Sequence, residues 1–398
     1  MKLETLLRLS GTFLSIKLLQ LAIIYFSPLQ FDTSSRILLD RYLSHKTIFN
    51  ETTQYLLDTV LSKFVVWDSV YFMKLSTEGI SFEHEWVFGP MWWRLIRSFR
   101  LENFYLNLIV SLAISNLCHF LSCILIYYMT LEAFKKDKTV KLNRLAYVCS
   151  VLVVLQPSGI FSTANYSESI TQLTCYMGIY LRQLSMDYEF SAVKITNPVL
   201  YVLSGSLFSI AFGFRSNALL YGILYLDDLW EFNFKQVEQS LLSIVAGLQL
   251  FLASIYSIYI PYKEFCPQRG EWCFSYTKSI VSYCQSYYWN NGFLRYFTVG
   301  NIPLFLLAAP SLAILLCSVI QFRSHSQISG IAKVTVVYLF VQFTMMHVQI
   351  VNRVMTFLPI HIWFVGYLES KHSEAIIKWW FVWIMLQTGL YACYLPPA

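Results

Sequence analysis

Apolar runs long enough to cross a lipid bilayer recur along almost the whole of this 398-residue chain, and they constrain its fold more than any other feature. Hydrophobic residues make up 56% of the chain and charged residues 13%, about half the charged share of a typical soluble protein. Aromatic residues, at 17%, suit lipid-facing walls and interfacial belts. The composition therefore predicts an all-α polytopic membrane protein, built as a single domain over residues 1–398.

The positions of the apolar runs predict about eleven transmembrane helices. The first run follows Lys2 and Arg8 and has no small-residue cleavage site after it, so we expect an uncleaved signal anchor. The predicted spans are 9–27, 104–130, 145–162, 168–184, 198–214, 218–232, 240–260, 302–321, 331–349, 354–369 and 376–394.

Lysine and arginine in the short loops predict the orientation of the chain. Segment 132–144 holds four lysines and one arginine, which is typical of a cytoplasmic loop. Counting spans from it places loops 28–103 and 261–301 on the opposite side. Loop 28–103 is too long for a connector and is expected to carry amphipathic helices on the membrane surface. The net charge of +6 is spread over many loops and gives no reason to expect nucleic-acid binding.

Four carboxylates, those of Asp68, Glu78, Glu83 and Glu85, lie in the first of these loops, within the stretch WDSVYFMKLSTEGISFEHEWVFGP at residues 67–90. Asp68, Glu83 and Glu85 are candidate catalytic residues, because an ionised carboxylate can take a proton from a hydroxyl nucleophile. A solvated amphipathic loop is the alternative for the whole stretch. Asp68 alone could instead cap the N-terminus of a helix.

Two further polar groups fall on the same predicted side. Tyr166 and Glu168 stand at the boundary of an apolar run, where a carboxylate needs a partner, and a hydrogen-bonded turn is the alternative. Arg215 and Asn217 lie between two apolar runs. A buried arginine suits phosphate binding, although an arginine at this position could also reach outward to the membrane surface.

The last two groups lie nearer the C-terminus. Trp289 and Asn290 are of the types that stack on sugars and hydrogen-bond to them, but also of the types found in an interfacial belt. Gln349, Asn352 and Arg353 stand together between two predicted spans. Arg353 is a second candidate phosphate ligand, and a structural salt bridge to one of the carboxylates is its alternative.

The cysteines allow one disulfide. Cys266 and Cys273 can pair if loop 261–301 faces an oxidising lumen, and otherwise both stay free thiols together with Cys284. Asn50 begins an N-glycosylation sequon, which fits a lumenal loop. The scattered histidines give no zinc spacing, so no metal site is predicted.

Several of these motifs together carry a family resemblance. Trp67 to Phe72, followed by Glu83 to Phe88, resembles the first lumenal loop of the PIG-V family, GPI mannosyltransferase 2, and the chain looks like a fungal member. The groups at 166–169, 215–217, 289–294 and 349–353 look like the later motifs of that family, in order. The chain departs from the family at Gly89 before Pro90, where many relatives are expected to have Ser, and at Ala218, where Gly is common. Neither change affects an ionisable group.

The resemblance implies a glycosyltransferase of the GT-C architecture in the endoplasmic-reticulum membrane, with its active site facing the lumen. It implies transfer of a second mannose, in α-1,6 linkage, from dolichyl-phosphate-mannose to the GPI precursor glycolipid. No cofactor is expected. The resemblance does imply a small membrane partner subunit.

In this interpretation Asp68 is the first choice of base, and Glu85 or Glu83 orients the acceptor or shares the role. Arg215 or Arg353 stabilises the departing phosphate. The expected substrate-binding residues are Trp67, Tyr166, Glu168, Arg215, Asn217, Trp289, Asn290, Gln349, Asn352 and Arg353.

Two other classes of function stay open at this point. One is another dolichyl-phosphate-sugar transferase of the same architecture, acting on the first or third GPI mannose or on N-glycans. The other is a lipid or solute transporter, which would be expected to show polar residues at the membrane midplane and two matching halves.

Overall fold

A computed structural model describes residues 1–28, 30–43, 50–101, 103–139, 141–189, 192–232, 236–268 and 270–397. The helices of the N-terminal half are α1 (Leu3–Phe26), α2 (Ser34–Leu43), α3 (Glu51–Leu56), α4 (Asp68–Glu78), α5 (Pro90–Ser98), α6 (Phe104–Ala133), α7 (Leu142–Leu155) and α8 (Glu168–Ser185). A short antiparallel hairpin of β1 (Met186–Glu189) and β2 (Ala192–Ile195) follows. The remaining helices are α9 (Pro198–Phe214), α10 (Gly222–Phe232), α11 (Val237–Phe265), α12 (Ile280–Tyr287), α13 (Ile302–Phe322), α14 (Ser329–Met345), α15 (Val351–Val354), α16 (Ile360–Tyr367) and α17 (Ser370–Ala392).

The helices confirm a helical membrane protein, but not the predicted count of eleven spans. Within the described residues, four helices are long and apolar enough to cross a membrane by length and composition, namely α1, α6, α11 and Val299–Phe322. Helices α7, α9 and α14 are apolar but shorter. The predicted span 354–369 is broken, because the chain bends by 88° between Val348–Phe357 and Ile360–Tyr367. The turn falls at Leu358 and Pro359, where proline disfavours a helical residue before it.

The main core is formed where α6, α7, α8 and α9 pack side by side, with α11 against α9. The facing sides of these helices carry small residues that let the backbones approach. In α9, a side chain at Gly205 would lie 2.5 Å from the carbonyl oxygen of Ala246 in α11. The close packing gives a rigid frame, on one end of which the polar segments between helices are held.

The long segment before α6 contains short helices, as predicted. Helices α4 and α5 pack against each other and against α6, and they form a second apolar core with Phe64, Ile160 and Tyr391. Gly89 allows the tight approach of α5 to α9. Its φ is +40°, and a Cβ there would lie 2.3 Å from the carbonyl oxygen of Phe214. The start of α5 is thereby fixed against the end of α9.

The predicted disulfide is present. Cys266 and Cys273 are bonded, with their Cα atoms 5.6 Å apart, and Cys284 is a buried free thiol. The disulfide closes a loop between α11 and α12 that packs on Trp86 through Trp272 and Phe265. Asn50 of the sequon is exposed, and its side chain accepts a hydrogen bond from the Thr53 amide at 2.9 Å.

Candidate active site

Asp68 is the first residue of α4, in agreement with the predicted helix start. Its carboxylate therefore lies at the positive end of the helix dipole. No hydrogen bond joins this carboxylate to a helix amide among the described residues, so the capping alternative has no support. The preceding residue, Trp67, has a φ of +54°, which is costly for a large side chain. Its indole donates to the carbonyl of Leu395 at 3.3 Å and so holds the turn before Asp68 in place.

A buried loop between α7 and α8, residues 156–167, leads to the second carboxylate of the site. Non-helical backbone at this depth must find its hydrogen bonds in the protein. From α17, the Gln387 side chain accepts from the Ile160 amide at 3.1 Å and donates to the Pro157 carbonyl at 3.2 Å. From α6, Asn116 donates to the Thr163 carbonyl at 2.9 Å. The loop ends at Glu168, the first residue of α8.

Two arginines and two carboxylates meet where these segments converge. Arg353 forms an ion pair with Asp68 at 2.6 Å and donates a hydrogen bond to Glu168 through its Nε. Arg215, directly after α9, donates to the same Glu168 oxygen at 2.8 Å. Asp68, Glu168, Arg215 and Arg353 form what we call the four-charge cluster. Its formal charges sum to zero, which lowers the cost of keeping it out of water.

Two aromatic rings support the cluster from one side. The guanidinium carbon of Arg353 lies 4.7 Å from the ring centre of Phe161 and 4.6 Å from that of Tyr166. The Tyr166 hydroxyl donates to the Val66 carbonyl at 3.2 Å, two residues before Asp68. Stacking on two rings fixes the plane of the Arg353 guanidinium group. Its N–H groups are thereby directed at the two carboxylates.

Unpartnered polar atoms lie in and beside the cluster. Among the described residues, no hydrogen-bond partner is found for the buried Oε2 of Glu168, Nδ2 of Asn217, Oε1 of Gln349 or the hydroxyl of Tyr338. Tyr338, in α14, interacts electrostatically with Arg215. Buried polar atoms without partners are rare in folded proteins, and they are groups that a polar substrate can engage.

Glu83 and Glu85 are not in contact with Asp68. Glu85 is buried, and its carboxylate pairs with Lys74 at 2.6 Å and accepts from the amides of Ser81 and Phe82 at 2.7 and 3.0 Å. Burial opposes ionisation of Glu85, but these hydrogen bonds outweigh it and lower its pKa. Glu83 accepts from the Trp272 indole at 3.0 Å and so holds the disulfide loop.

The three predicted catalytic carboxylates are therefore not one cluster. The contacts of Glu83 and Glu85 favour structural roles, and a catalytic role for either stays a prediction. The sequence could not separate them from Asp68, because all three lie within one short stretch of the chain and only their partners differ.

Trp289, one of the remaining predicted binding residues, is linked to α4 through ring contacts. The carbonyl oxygen of Trp289 lies 2.8 Å from Nε2 of His347. The centre of the Trp289 ring lies 5.9 Å from that of Phe88. Phe88 stacks on Tyr71 of α4 at 4.3 Å, which connects residues 289–290 with the helix that begins at Asp68. Asn290 has a φ of +50°.

Asn352 is directed into the protein. It accepts from the Ser311 hydroxyl at 2.6 Å and donates to the Leu307 carbonyl at 3.4 Å, both in α13, and it is fully buried. These contacts hold the segment of Arg353 against α13. They favour a structural role over the predicted contact with substrate, which stays untested.

Lys17 is a residue that the sequence analysis missed. It lies in the apolar helix α1, where its ammonium group donates to the Thr163 hydroxyl at 2.6 Å and lies 3.0 Å from Nδ1 of His119 in α6. A lone lysine inside a predicted span is a signal for a polar role and could have indicated it. Through Thr163 it supports the loop that carries Tyr166 and Glu168.

A helical membrane fold that holds two carboxylates, each at a helix start, together with two arginines defines a class of membrane enzyme that can combine proton abstraction with anion stabilisation. Residues 6–331 match the family described as mannosyltransferase (PIG-V), and the chain belongs to that family. It is accordingly a membrane mannosyltransferase, as the resemblance of its motifs implied.

The chain is similar over nearly its whole length to fungal proteins named GPI mannosyltransferase 2. It is 37% identical to the one from Candida albicans, over 98% of this chain and 99% of that protein. It is 33% identical to the one from Saccharomyces cerevisiae, over 97% and 98% of the two chains, and 32% identical to the one from Eremothecium gossypii, over 99% and 100%. No solved structure matches the chain.

Proposed function

We propose that this protein transfers the second mannose of the GPI anchor, in α-1,6 linkage, from dolichyl-phosphate-mannose to the GPI precursor. We place the reaction at the lumenal face of the endoplasmic-reticulum membrane. The relatives named GPI mannosyltransferase 2 support the acceptor class. The observation that carries the mechanism is the four-charge cluster, because it combines a carboxylate with two arginines at one point of a membrane protein.

The reaction proceeds as a single inverting displacement. The 6-hydroxyl oxygen of the acceptor mannose attacks the anomeric carbon of the donor mannose and loses its proton to the Asp68 carboxylate. The bond between the anomeric carbon and the phosphate oxygen breaks, and its electron pair leaves with dolichyl phosphate. A β-linked donor then gives an α-linked product without a covalent intermediate.

Donor binding activates the base in this mechanism. In the structure Arg353 pairs with Asp68 at 2.6 Å, so this carboxylate is occupied by a guanidinium group. The donor phosphate competes for the guanidinium groups of Arg353 and Arg215. When the phosphate takes Arg353, Asp68 loses its partner, and its carboxylate is free to accept the hydroxyl proton at the moment at which the donor is in place. Glu168, bound by both arginines, keeps them close together.

The other expectations from the resemblance form part of the same proposal. Trp289 and Asn290 contact a sugar ring, and the unpartnered groups of Asn217 and Gln349 hydrogen-bond to substrate. The reaction needs no cofactor beyond the donor. A small membrane partner subunit accompanies the chain in the native membrane.

The function is tested by two experiments on the whole protein. Depleting it from fungal cells should cause a GPI precursor with one mannose to accumulate, and adding it back to depleted microsomes with labelled dolichyl-phosphate-mannose should extend that species by one α-1,6-linked mannose. Accumulation of a species with no mannose, or with two, would assign the protein to a different step. Accumulation of N-glycan intermediates would assign it to another pathway.

A further inference from the structure

A polar cavity lies at the opposite end of α4 from Asp68. Its volume is about 420 Å³, and it is bounded by the end of α4, the end of α5 and the start of α6. Its polar lining is formed by Ser76, Thr77, Arg97, Arg100 and Asn107. Ser76 follows Asp68 by eight residues, which in an α-helix is about 12 Å along the axis. The cavity is therefore separate from the four-charge cluster.

Two arginines give the lining of the cavity its positive charge, and Glu102 of the same segment lies outside the described residues. Among the described residues, neither Arg97 nor Arg100 forms an ion pair, although the structure shows such pairs elsewhere on α4. Glu78, the nearest acid along α4, is paired with Arg41 at 3.1 Å. The third arginine of this stretch is accounted for, since Arg94 lies over the rings of Trp86 and Trp93. Two cations are thus left to face one cavity.

The guanidinium group of Arg97, an exposed residue, lies against the backbone of Gly79. Gly79, at the end of α4, has a φ of +83°, and a Cβ there would lie 2.3 Å from Nη1 of Arg97. The guanidinium therefore lies directly against a glycine whose conformation and lack of a side chain make room for it.

The rest of the lining suits a polyol. The hydroxyls of Ser76 and Thr77 donate to the Met73 carbonyl at 2.9 and 3.0 Å, which leaves their oxygens able to accept from sugar hydroxyls. Asn107 donates to the Leu101 carbonyl at 2.8 Å and keeps its carbonyl oxygen as an acceptor. Leu101 and Phe104 complete the wall at the start of the membrane helix α6, where a lipid headgroup meets the apolar layer.

We propose that this cavity binds the phosphorylated polyol headgroup of the acceptor glycolipid, with Arg97 and Arg100 on its phosphodiester. The inference rests on the proposed function. Arginine pairs are suited to phosphate, and hydroxyl and amide oxygens are suited to the polyol attached to it. The donor phosphate cannot be the ligand, because it is bonded to the carbon that reacts and must lie at Asp68. The acceptor phosphate is separated from the reacting hydroxyl by several sugar rings and can lie at this distance.

Helix α4 then acts as a spacer between two ends of one substrate. With the phosphodiester held at Arg97 and Arg100, only a glycan of suitable length places its terminal hydroxyl at Asp68. The cavity thereby selects the acceptor by the number of sugars between lipid and hydroxyl, as well as by its charge.

The test uses the full-length protein in membranes that carry its native partners. The double variant Arg97→Gln/Arg100→Gln should raise the KM for the GPI precursor about 10- to 100-fold. It should leave the KM for dolichyl-phosphate-mannose unchanged. Gly79→Ala, which displaces Arg97, should raise the same KM. The matched control is Arg36→Gln/Arg323→Gln, which removes two exposed arginines that line no part of this cavity.

A second arm identifies the phosphate. Mannosyl-glucosaminyl-inositol, with and without a phosphate on its inositol, is offered as a soluble acceptor. The unaltered protein should prefer the phosphorylated form, and the double variant should not distinguish the two. An unchanged acceptor KM, a rise in the donor KM instead, or loss of folded protein in both Arg97→Gln/Arg100→Gln and Gly79→Ala would each overturn the proposal. Because every comparison is made against protein that transfers mannose, failure here is distinct from failure of the proposed function.

Discussion

Arg353 is the residue on which the geometry of the candidate active site depends most directly. It contacts both carboxylates of the four-charge cluster and stacks on Phe161 and Tyr166. Arginine suits this position because its planar group offers donors in two directions while its face lies on a ring. Lysine would keep the charge but could not make these contacts together.

The variant Arg353→Lys should therefore lose most activity although it conserves charge. We expect mannosyl transfer to fall by about 100-fold, the order found when one donor that stabilises a developing charge is removed. The measurement is the transfer rate in microsomes at saturating substrate, with protein abundance followed in parallel. A transfer rate within a factor of three of that of the unaltered protein would show that Arg353 has no essential role in the reaction.

Glu85 provides a residue-scale test of the division between catalytic and structural acids. The variant Glu85→Gln should lower the free energy of unfolding by about 2 kcal/mol, because a charged hydrogen-bond network with Lys74 is lost. Transfer per folded molecule should stay within a few-fold of normal. A variant of normal stability that has lost transfer would show that Glu85 takes part in the reaction.

The effect of Glu85→Gln should also depend on pH. The pKa of Glu85 in the folded protein lies below its ordinary value of 4.5, so the stabilisation it gives is present above that value and is lost as pH falls through the folded pKa. The melting temperatures of variant and unaltered protein in detergent should therefore differ most near pH 7 and converge below about pH 4. A difference that grows as pH falls would contradict this assignment.

At the scale of elements, the loop at 156–167 is the part that assembles the site. It carries Phe161 and Tyr166 to the face of Arg353 and ends at Glu168. Side chains from α1, α6 and α17 satisfy its backbone and hydroxyl groups. These three helices are far apart in the sequence, so the position of the loop depends on how they pack together.

Lys17 is expected to act on the reaction through this loop, as a positioning residue. Lys17→Met should lower kcat about 10- to 100-fold, since small displacements of groups at a reacting centre have effects of that size, while the KM values for both substrates change little. Lys17→Arg should restore part of the rate because it can still donate to Thr163. The control is Lys333→Met, which changes an exposed lysine of α14.

A merely structural role for Lys17 would give a different result. Both Lys17 variants would then lower the amount of folded protein, and the transfer per folded molecule would be unchanged. Equal loss of kcat in Lys17→Met and Lys17→Arg, without partial rescue, would also contradict the positioning role.

At the scale of the whole molecule, the sequence indicates which segments converge but not which atoms meet. Spans counted from segment 132–144 group Asp68, Glu168, Arg215 and Arg353 on one side, and the structure joins these four. The start of α4 at Asp68 and the Cys266–Cys273 pair are also as predicted. Each of these follows from a local pattern or from orientation, which a single sequence carries.

Partners far apart in the chain could not be predicted in the same way. The ion pair between Asp68 and Arg353 joins residues 285 positions apart, and no local pattern encodes it. Glu85 pairs with Lys74, and Asn352 hydrogen-bonds to Ser311, because the packing of their own elements places a partner beside each of them. Their residue types would suit a substrate-binding site equally well. Apolar runs alone do not give the number of spans, since α8 carries many polar residues and the segment at Leu358 is bent.

The central claim is that Asp68 is the base of mannosyl transfer, and the most direct measurement compares Asp68→Asn with the unaltered protein. Asparagine keeps the size of the side chain at the start of α4 but cannot accept the proton. The single-turnover rate of transfer from labelled dolichyl-phosphate-mannose, measured per folded molecule, should fall by about 10²–10⁴-fold. A near-normal rate in folded Asp68→Asn protein would contradict the account.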